Sequence, residues 1–260
     1  MKLTILGSGT GIIRKERSAA AFLLEVEGRL LLFDCGWGAG LKIIEAGYDI
    51  QELDHILISH PHSDHMGNLM SILQSILVSG FYYPETKRSK PLHLHGYPGF
   101  TKDYEKLRSI HFPERHEPYE VHHYDHHTSD QFFGALNISS REVEHVPYFK
   151  AVSYRVDHKE KSFVYSGDCG YDKALIELAG NADFALLEMS IDPKMYAEQG
   201  PRPNHISGYE AGLIASKAGV KKLGLFHLYD KATDEEIEAE VSKEFQGKLI
   251  ITQDLQVIKV

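Results

Sequence analysis

The sequence has few of the residues that build covalent or thiolate frameworks. Its 260 residues include two cysteines, Cys35 and Cys169, which excludes both a disulfide framework and a four-cysteine zinc site. No stretch rich in proline, glycine and serine divides the chain into halves. We therefore expect a single domain over residues 1–260.

Long apolar runs and an excess of positive charge are also missing. Lys and Arg total 28 against 37 Asp and Glu, and this net charge of −9 disfavours non-specific binding to nucleic acid or to anionic membranes. No apolar window approaches the length of a membrane span, and the opening segment MKLTILGSGTG contains no signal-peptide core. We expect a cytoplasmic protein with no membrane partner.

Short β-rich runs alternate with helical periodicity along the chain. KLTILG, AAFLLEVEG, RLLLFDCG and HILISH are typical of strands, and HILISH stops at His60. In NLMSILQSILVSG the apolar residues recur at i, i+3, i+4 and i+7, which predicts a helix ending near Gly80.

The second half of the sequence places polar residues directly after predicted strands. FVYSGD ends at Asp168, FALLEMS contains Glu188, LGLFH ends at His227, and a helical segment follows His205. Because sites in layered α/β folds assemble at the carboxyl ends of strands, these side chains are expected to converge.

What the sequence has in abundance is histidine, with 16 copies. The segment SHPHSDHMGN, residues 59–68, contains His60, His62, Asp64 and His65 within six positions. Asp64 as a helix N-cap beside solvated histidines is the simpler alternative. However, three imidazoles and one carboxylate supply four ligands that suit Zn²⁺, and two adjacent ligand pairs indicate two metals.

The HPHSDH motif resembles the signature of the metallo-β-lactamase superfamily. Further segments match in the same order along most of the chain: GSGTG, FDCG, EVEHVP, SGDCG and LFHLY. The resemblance implies an αββα sandwich of two mixed β-sheets flanked by helices, with a hydrolytic site for one or two metal ions.

The same resemblance implies a ligand set. It assigns one metal to His60, His62 and His145, the other to Asp64, His65 and His227, and a bridging role to Asp168. Two divalent ions are expected, Zn²⁺ first, with Mn²⁺ or Fe²⁺ as alternatives. Taken singly, His145 could be a strand surface residue, Asp168 a turn residue and His227 a core histidine.

Two later segments, LLEMS at 186–190 and NHISGYEAG at 204–212, are similar to the ribonuclease Z-like branch. That likeness implies a hydrogen bond between Glu188 and His205, with His205 as proton donor at a phosphodiester. The branch usually has EAT and HST or HLT where this chain has EMS and HIS. The alternative is that Glu188 is a surface acid and that His205 is only a neighbour of a helix cap.

Ribonuclease Z usually carries a long transfer-RNA clamp between its third metal-binding histidine and its bridging aspartate. Here His145 and Asp168 are only 23 positions apart, so transfer RNA is not the expected substrate. Shorter members of the branch include phosphodiesterases acting on cyclic nucleotides and other small molecules. This is the predicted function, and a homodimer is left open.

The implied chemistry uses two ions that share a water and lower its pKa. Asp64 would take the proton of that water, and His205, held by Glu188, would protonate the leaving oxygen. A thioester or lactone hydrolase would use the same metals without that pair. A metal-dependent sensor is discouraged by the full ligand set, and a di-iron redox protein by His62, where that branch usually has glutamate.

Other segments have simpler interpretations. The HHYDHH segment, residues 122–127, is predicted to carry surface histidines, because alternation in a strand separates neighbouring side chains. Asp34 is expected to orient a ligand histidine without itself binding the metal. Four aromatic residues could either face a substrate ring or pack in the core: Phe81, Tyr82, Tyr83 and Tyr148.

Overall fold

The computed structural model describes residues 1–113, 117–200, 202–229 and 231–260, and in these ranges the strands form two seven-stranded sheets. The first sheet contains β1 (Lys2–Gly7), β2 (Ala21–Val26), β3 (Arg29–Phe33), β4 (Leu53–Leu57), β5 (Leu92–Gly96), β6 (Val121–Asp125) and β14 (Val257–Lys259). The second contains β7 (Ser129–Phe133), β8 (Leu136–Val143), β9 (Ala151–His158), β10 (Lys161–Tyr165), β11 (Phe184–Glu188), β12 (Lys222–Phe226) and β13 (Lys248–Ile251).

The helices lie between these strands along the chain. They are α1 (Ala39–Glu45), α2 (Ser63–Met66), α3 (Leu69–Tyr82), α4 (Phe100–His111), α5 (Lys173–Leu178), α6 (Pro193–Gln199), α7 (Gly208–Ala218) and α8 (Asp234–Val241). Within the described ranges, no helix has the length and apolar composition that crossing a bilayer requires.

Both sheets are mixed in the same way. The first has the order β14-β1-β2-β3-β4-β5-β6 and is antiparallel as far as β3, after which β3 to β6 run parallel. The second has the order β13-β12-β11-β10-β9-β8-β7, and its strands β10 to β13 run parallel. Parallel strands place their carboxyl ends at one edge of a sheet, which is where polar residues follow the strands in this sequence.

Successive side chains along a strand point alternately to the interior between the sheets and to the helices outside. In β11, Phe184 and Leu186 face the interior shared by the two sheets, while Ala185 and Leu187 belong to the apolar layer beneath the helices. Across the shared interior, the ring of Phe33 lies 5.3 Å from that of Phe163. Helices outside, two mixed sheets inside and a common apolar interior confirm the predicted αββα sandwich.

Two predicted boundaries were wrong. β4 ends at Leu57, three residues before His60, and the following helix is divided into the short α2 and the longer α3. α3 continues past Gly80 to Tyr82. The residue before a proline disfavours helical backbone, so Pro84, rather than Gly80, sets this end.

The prediction of surface histidines in residues 122–127 was also partly wrong. His122 and His127 are exposed, but His126 has 0% exposure. It lies just beyond β6, where its backbone N–H donates to the carbonyl of Gly96. Its ring turns inward, with Nε2 2.9 Å from Nδ1 of His95, because a hydrogen-bonding partner makes burial of an imidazole possible.

Candidate metal centre

Three imidazoles from two parts of the chain converge at the carboxyl edge of the sheets. His60 Nε2 lies 3.0 Å from His62 Nδ1, and His145 Nε2 lies 3.3 Å from the same His62 nitrogen. His60 and His62 come from the segment between β4 and α2, whereas His145 follows β8 of the second sheet. The fold therefore joins residues that are 83 positions apart.

A second group adjoins the first. His227 Nε2 is 3.3 Å from Asp64 Oδ2, and the ligand atoms of Asp64, His65 and His227 all lie within 4.8 Å of one another. Asp168 lies between the groups: its two oxygens are 3.2 Å from His65 Nε2 and 3.3 Å from His227 Nε2. It also lies within 4.8 Å of the ligand atoms of His60, His62 and His145.

Close backbone contacts fix the loops that carry these residues. A Cβ on Gly36 would lie 2.1 Å from the carbonyl oxygen of Asp64, and one on Gly170 would lie 1.9 Å from that of Pro203. Only glycine allows such an approach. His227 has a positive φ of 60°, which is uncommon for a non-glycine residue and marks a constrained position.

Hydrogen bonds behind the imidazoles determine which nitrogen faces the centre. His65 Nδ1 contacts Asp34 Oδ2 at 2.6 Å, and His145 Nδ1 contacts the carbonyl of Asn204 at 2.9 Å. Both oxygens can only accept, so each Nδ1 carries the proton and each Nε2 is left to face the centre.

Serine hydroxyls complete the same arrangement. Ser59 Oγ donates to Asp34 and accepts from Nδ1 of His60, while Ser190 Oγ donates to Glu188 and accepts from Nδ1 of His227. Four imidazoles thus direct Nε2 toward the centre. Hydrogen bonds of this kind orient metal-ligating histidines in proteins.

The predicted contact of Asp34 with a histidine of the motif is present. This buried carboxylate follows β3 with a φ of 51° and accepts from the backbone and hydroxyl of Ser59, from His65 and from the hydroxyl of Tyr165. Tyr165 was not anticipated, because nothing in the sequence links it to a residue 131 positions away.

Burial and neighbouring charge set the protonation of the centre. Burial lowers the pKa of His60, His62 and His145, so these rings are neutral with free lone pairs. Burial raises the pKa of the Asp168 carboxyl, but its electrostatic interactions with His227 and His65 outweigh burial and hold that pKa well below its usual range. Burial likewise lowers the pKa of His65, but Asp168 and then Asp34 raise it well above its usual value.

These residues fit divalent metal ions. Nε2 of His65 and Oδ1 of Asp168 are buried and lie 3.2 Å apart without hydrogen-bond geometry, and neither has another hydrogen-bond partner among the described residues. Inward-facing nitrogens 3.0 to 3.3 Å apart match the separation of about 3.3 Å expected for two nitrogens on one tetrahedral zinc ion with bonds of about 2.0 Å. A cation would satisfy both the unpartnered atoms and the carboxylates.

The Glu188–His205 pair lies beside this centre. His205 Nδ1 is 2.8 Å from Glu188 Oε1, and a ligand atom of His205 lies within 4.8 Å of Asp168 and His227. Glu188 also accepts from the backbone N–H groups of Cys169 and Ser190, which fixes its orientation. The hydrogen bond expected from the sequence is therefore present.

The charge on Glu188 changes the acidity of its partner. Burial lowers the pKa of His205, but the facing carboxylate outweighs burial and raises that pKa to about 9. The His205 side chain is 20% exposed, unlike the fully buried Glu188. His205 is thus a protonated imidazole at the mouth of the centre.

The aromatic residues divide into two groups. Phe81, Tyr82 and Tyr83 are exposed at the far end of α3, about 18 Å along the helix axis from its start near the motif. Phe149, which the sequence did not single out, packs against the centre with its ring 5.0 Å from that of His62. Its neighbour Tyr148 is exposed.

Two relatives show how this chain compares with known sequences. It is 30% identical over 255 residues to an uncharacterized protein of Mycobacterium tuberculosis, covering 95% of this chain and 88% of the relative. It is 28% identical over 283 aligned positions to a protein of Mycobacterium avium named ribonuclease Z, covering 100% of this chain and 98% of that one.

Solved structures share the fold. The metallo-beta-lactamase fold protein YhfI of Bacillus subtilis superposes with a TM-score of 0.84 at 22% identity, over 99% of this chain and 98% of that one. A diphosphatase of the PhnP family superposes with a TM-score of 0.72 at 18% identity, over 99% and 96%. The family model described as a beta-lactamase superfamily domain matches residues 29–228, and the chain therefore belongs to the beta-lactamase superfamily.

Proposed function

We propose that this metal-dependent hydrolase is a phosphodiesterase that acts on a small or cyclic nucleotide-type diester. One observation carries the proposal: His205, held by Glu188 at 2.8 Å, lies beside a set of inward-facing metal ligands. Hydrolysis of an alkyl phosphodiester needs a proton on a poor leaving group, and this histidine is arranged to donate one.

The proposed metal ligands are the seven residues predicted from the sequence. One ion would be held by His60, His62 and His145, the other by Asp64, His65 and His227, with Asp168 between them. Two divalent ions there, Zn²⁺ first among the candidates, would supply positive charge for a phosphoryl group and acidify water.

The chain's own residues supply the proton transfers. The pKa of Asp64 is held below its usual value, because its contact with His227 and the charge of His65 outweigh burial. An ionised Asp64 can accept the proton of an attacking water, while His205 Nε2 delivers a proton to the leaving oxygen. Glu188 keeps the other nitrogen protonated and the ring oriented.

A small substrate is preferred over transfer RNA, although a relative is named ribonuclease Z. Between His145 and Asp168 the chain forms β9, a tight turn and β10, paired from Lys161 with His158 to Tyr165 with Tyr154. The hairpin occupies the segment that carries the clamp in ribonuclease Z. Failure to cleave a transfer-RNA precursor is expected, and efficient cleavage would contradict this choice.

The test of the function uses His205→Ala on two diesters. We expect it to lower turnover of a cyclic nucleotide about 10²–10⁴-fold, the usual contribution of a general acid. The loss should be much smaller on bis(p-nitrophenyl) phosphate, because nitrophenolate leaves without a proton. Initial rates at saturating substrate measure both.

The control for this experiment is His122→Ala, which changes an exposed histidine that also faces a glutamate. Metal content, by elemental analysis, should stay at two ions per chain in both variants. Equal losses on both diesters would argue against proton donation by His205. Full activity in His205→Ala would instead favour a thioester or lactone hydrolase, where the metals suffice.

A further inference from the structure

The loop after His145 forms an aromatic wall beside the metal centre. The ring of Phe149 lies 5.8 Å from that of His60, 5.0 Å from that of His62 and 6.1 Å from that of His145. Phe149 therefore closes one side of the group proposed to hold the first metal.

Tyr148 extends this wall outward. Its ring lies 5.8 Å from that of Phe149, inclined by 73°, and the residue is 78% exposed. Phe132 and Tyr82 are comparably exposed, but neither lines the cavity described next. Tyr148 differs from them because its ring contacts Phe149, and the ring of Phe149 contacts the motif histidine His62.

A cavity of about 290 Å³ lies in this loop. Its lining consists of Val143, Glu144, His145, Val146, Pro147, Tyr148, Phe149 and Lys150. Most of these side chains are apolar or aromatic, and His145 is shared with the metal centre. Because Glu144, His145 and Lys150 add polar area to the lining, the cavity suits a flat group with polar edges, and His145 joins it to the metal centre.

The contacts of His145 separate this wall from the proton donor. The ring of His145 lies 5.1 Å from that of His205, and 6.1 Å from that of Phe149. Among the described residues, no ring contact joins His205 to Phe149. The leaving group belongs at His205, so a ring at the wall belongs to the part of the diester that stays on phosphorus.

We propose that the ring of Tyr148, supported edge-on by Phe149, forms a stacking platform for the nucleobase on the non-leaving side of the substrate. Every nucleobase has a π-face, and stacking on an exposed tyrosine is tolerant of base identity. The inference rests on the proposed phosphodiesterase function and specifies its substrate class: a nucleoside phosphodiester rather than a simple alkyl or lipid diester.

The kinetic test compares two diesters with the same leaving group, thymidine 5′-(p-nitrophenyl phosphate) and methyl p-nitrophenyl phosphate. They differ only in the group that stays. We expect Tyr148→Leu to lower kcat/KM about 10-fold for the thymidine ester, chiefly through KM, and to leave the methyl ester within about twofold. Tyr148→Phe should behave as the parent, because it keeps the ring.

A binding test does not depend on turnover. In the metal-loaded protein, calorimetric titration should show AMP binding more tightly than inorganic phosphate. Tyr148→Leu should weaken AMP about 10-fold and leave phosphate unchanged. Tyr82→Leu, which removes an equally exposed tyrosine far along α3, is the control and should change neither.

The outcomes separate the two proposals. Equal effects of Tyr148→Leu on both esters, together with an unchanged ratio of AMP to phosphate affinity, would overturn the stacking platform and leave the phosphodiesterase intact. Hydrolysis of neither ester by the metal-loaded parent would overturn the phosphodiesterase. The AMP titration would then still decide whether Tyr148 contacts a base.

Discussion

At the scale of single residues, the centre depends on groups that never face the metal positions. Asp34 is buried and accepts from His65, Ser59 and Tyr165. Its hydrogen bond to Nδ1 of His65 determines both the tautomer and the orientation of that ring. A change at Asp34 should therefore affect metal affinity without removing a ligand.

We expect Asp34→Asn to weaken metal binding about 10–100-fold, the usual effect of removing such an outer partner. Competition with a chromogenic chelator measures this. The His60→Ala, His62→Ala double variant is the reference and should lose one ion per chain, while Asp130→Asn, on an exposed strand residue, should change nothing. Parental affinity in Asp34→Asn would show that His65 is oriented by other contacts.

The pair Glu188–His205 predicts a pH dependence. His205 must be protonated to act as an acid, and burial lowers its pKa less than Glu188 raises it, to about 9. Turnover of an alkyl diester should therefore persist up to about pH 9 and fall above it. Glu188→Gln removes the negative charge and leaves the effect of burial, so the alkaline limb should move down by at least about 2.5 pH units, to the ordinary imidazole pKa of about 6.5 or below it.

The measurement is the pH profile of kcat on a cyclic nucleotide. Glu120→Gln is the matched control, because Glu120 faces His122 on the surface, 3.3 Å away and far along the sheet from the centre. Its profile should match that of the parent. A shift of the alkaline limb to higher pH in Glu188→Gln would contradict the assigned roles.

At the scale of elements, two helices begin with the same N-terminal capping arrangement. Ser207 before α7 and Thr233 before α8 each form a capping box with the glutamate three residues on. Ser207 lies two residues after His205, so its cap also fixes the backbone that carries the proton donor.

This duplication gives a matched pair of variants. We expect Ser207→Ala and Thr233→Ala each to lower the free energy of unfolding by about 1 kcal/mol, since each removes one cap. Only Ser207→Ala should also lower turnover of a cyclic nucleotide. Urea unfolding and initial rates measure the two effects, and equal activity in both variants would mean that the cap does not position His205.

At the scale of the whole molecule, a buried chain of three histidines connects strands β4 and β5 of the first sheet with the second sheet. His55 Nδ1 lies 3.0 Å from His95 Nε2, and His95 Nδ1 lies 2.9 Å from His126 Nε2. His126 in turn contacts Ser140 of the second sheet at 2.9 Å. Burial, followed by neighbouring positive charge, lowers the pKa of His55 to about 3, and burial lowers that of His126 to about 4.

These shifts predict acid sensitivity. In the unfolded chain the same histidines have a pKa of about 6.5, so the unfolded state binds more protons, and stability falls as the pH drops from about 6.5 toward 3. At pH 5 the loss should be about 2 kcal/mol for each histidine. Urea unfolding of metal-free protein at pH 7.5 and pH 5 measures it.

Two variants identify the source of this effect. His126→Gln should be less stable than the parent at pH 7.5 but should lose less stability on acidification, because one titrating group is gone. His122→Gln changes an exposed histidine and should keep the parental pH dependence. Identical losses in His126→Gln and the parent would contradict the assignment.

Some whole-molecule expectations stay predictions. A single domain over residues 1–260 is supported by the apolar interior that residues of both sheets share. The cytoplasmic location stays a prediction, and so does the homodimer that the sequence left open.

The sandwich architecture was predicted through the resemblance to the metallo-β-lactamase superfamily, whereas the sequence by itself determined the motif and the strand-end residues. These features are local or periodic: His60 to His65 lie within one turn, and alternation assigns strand faces without knowledge of partners. The contact between Glu188 and His205 was also predictable, because the resemblance to the ribonuclease Z-like branch implied it.

Only the tertiary structure decided what lies behind and beside those residues. The hydroxyl of Tyr165 on Asp34, the burial of His126 and the packing of Phe149 on the motif histidines all join parts of the chain that are distant in sequence. Whether an aromatic or imidazole ring is exposed depends on which surface the opposite sheet covers. That choice is made by packing between sheets, which the pattern within one strand does not encode.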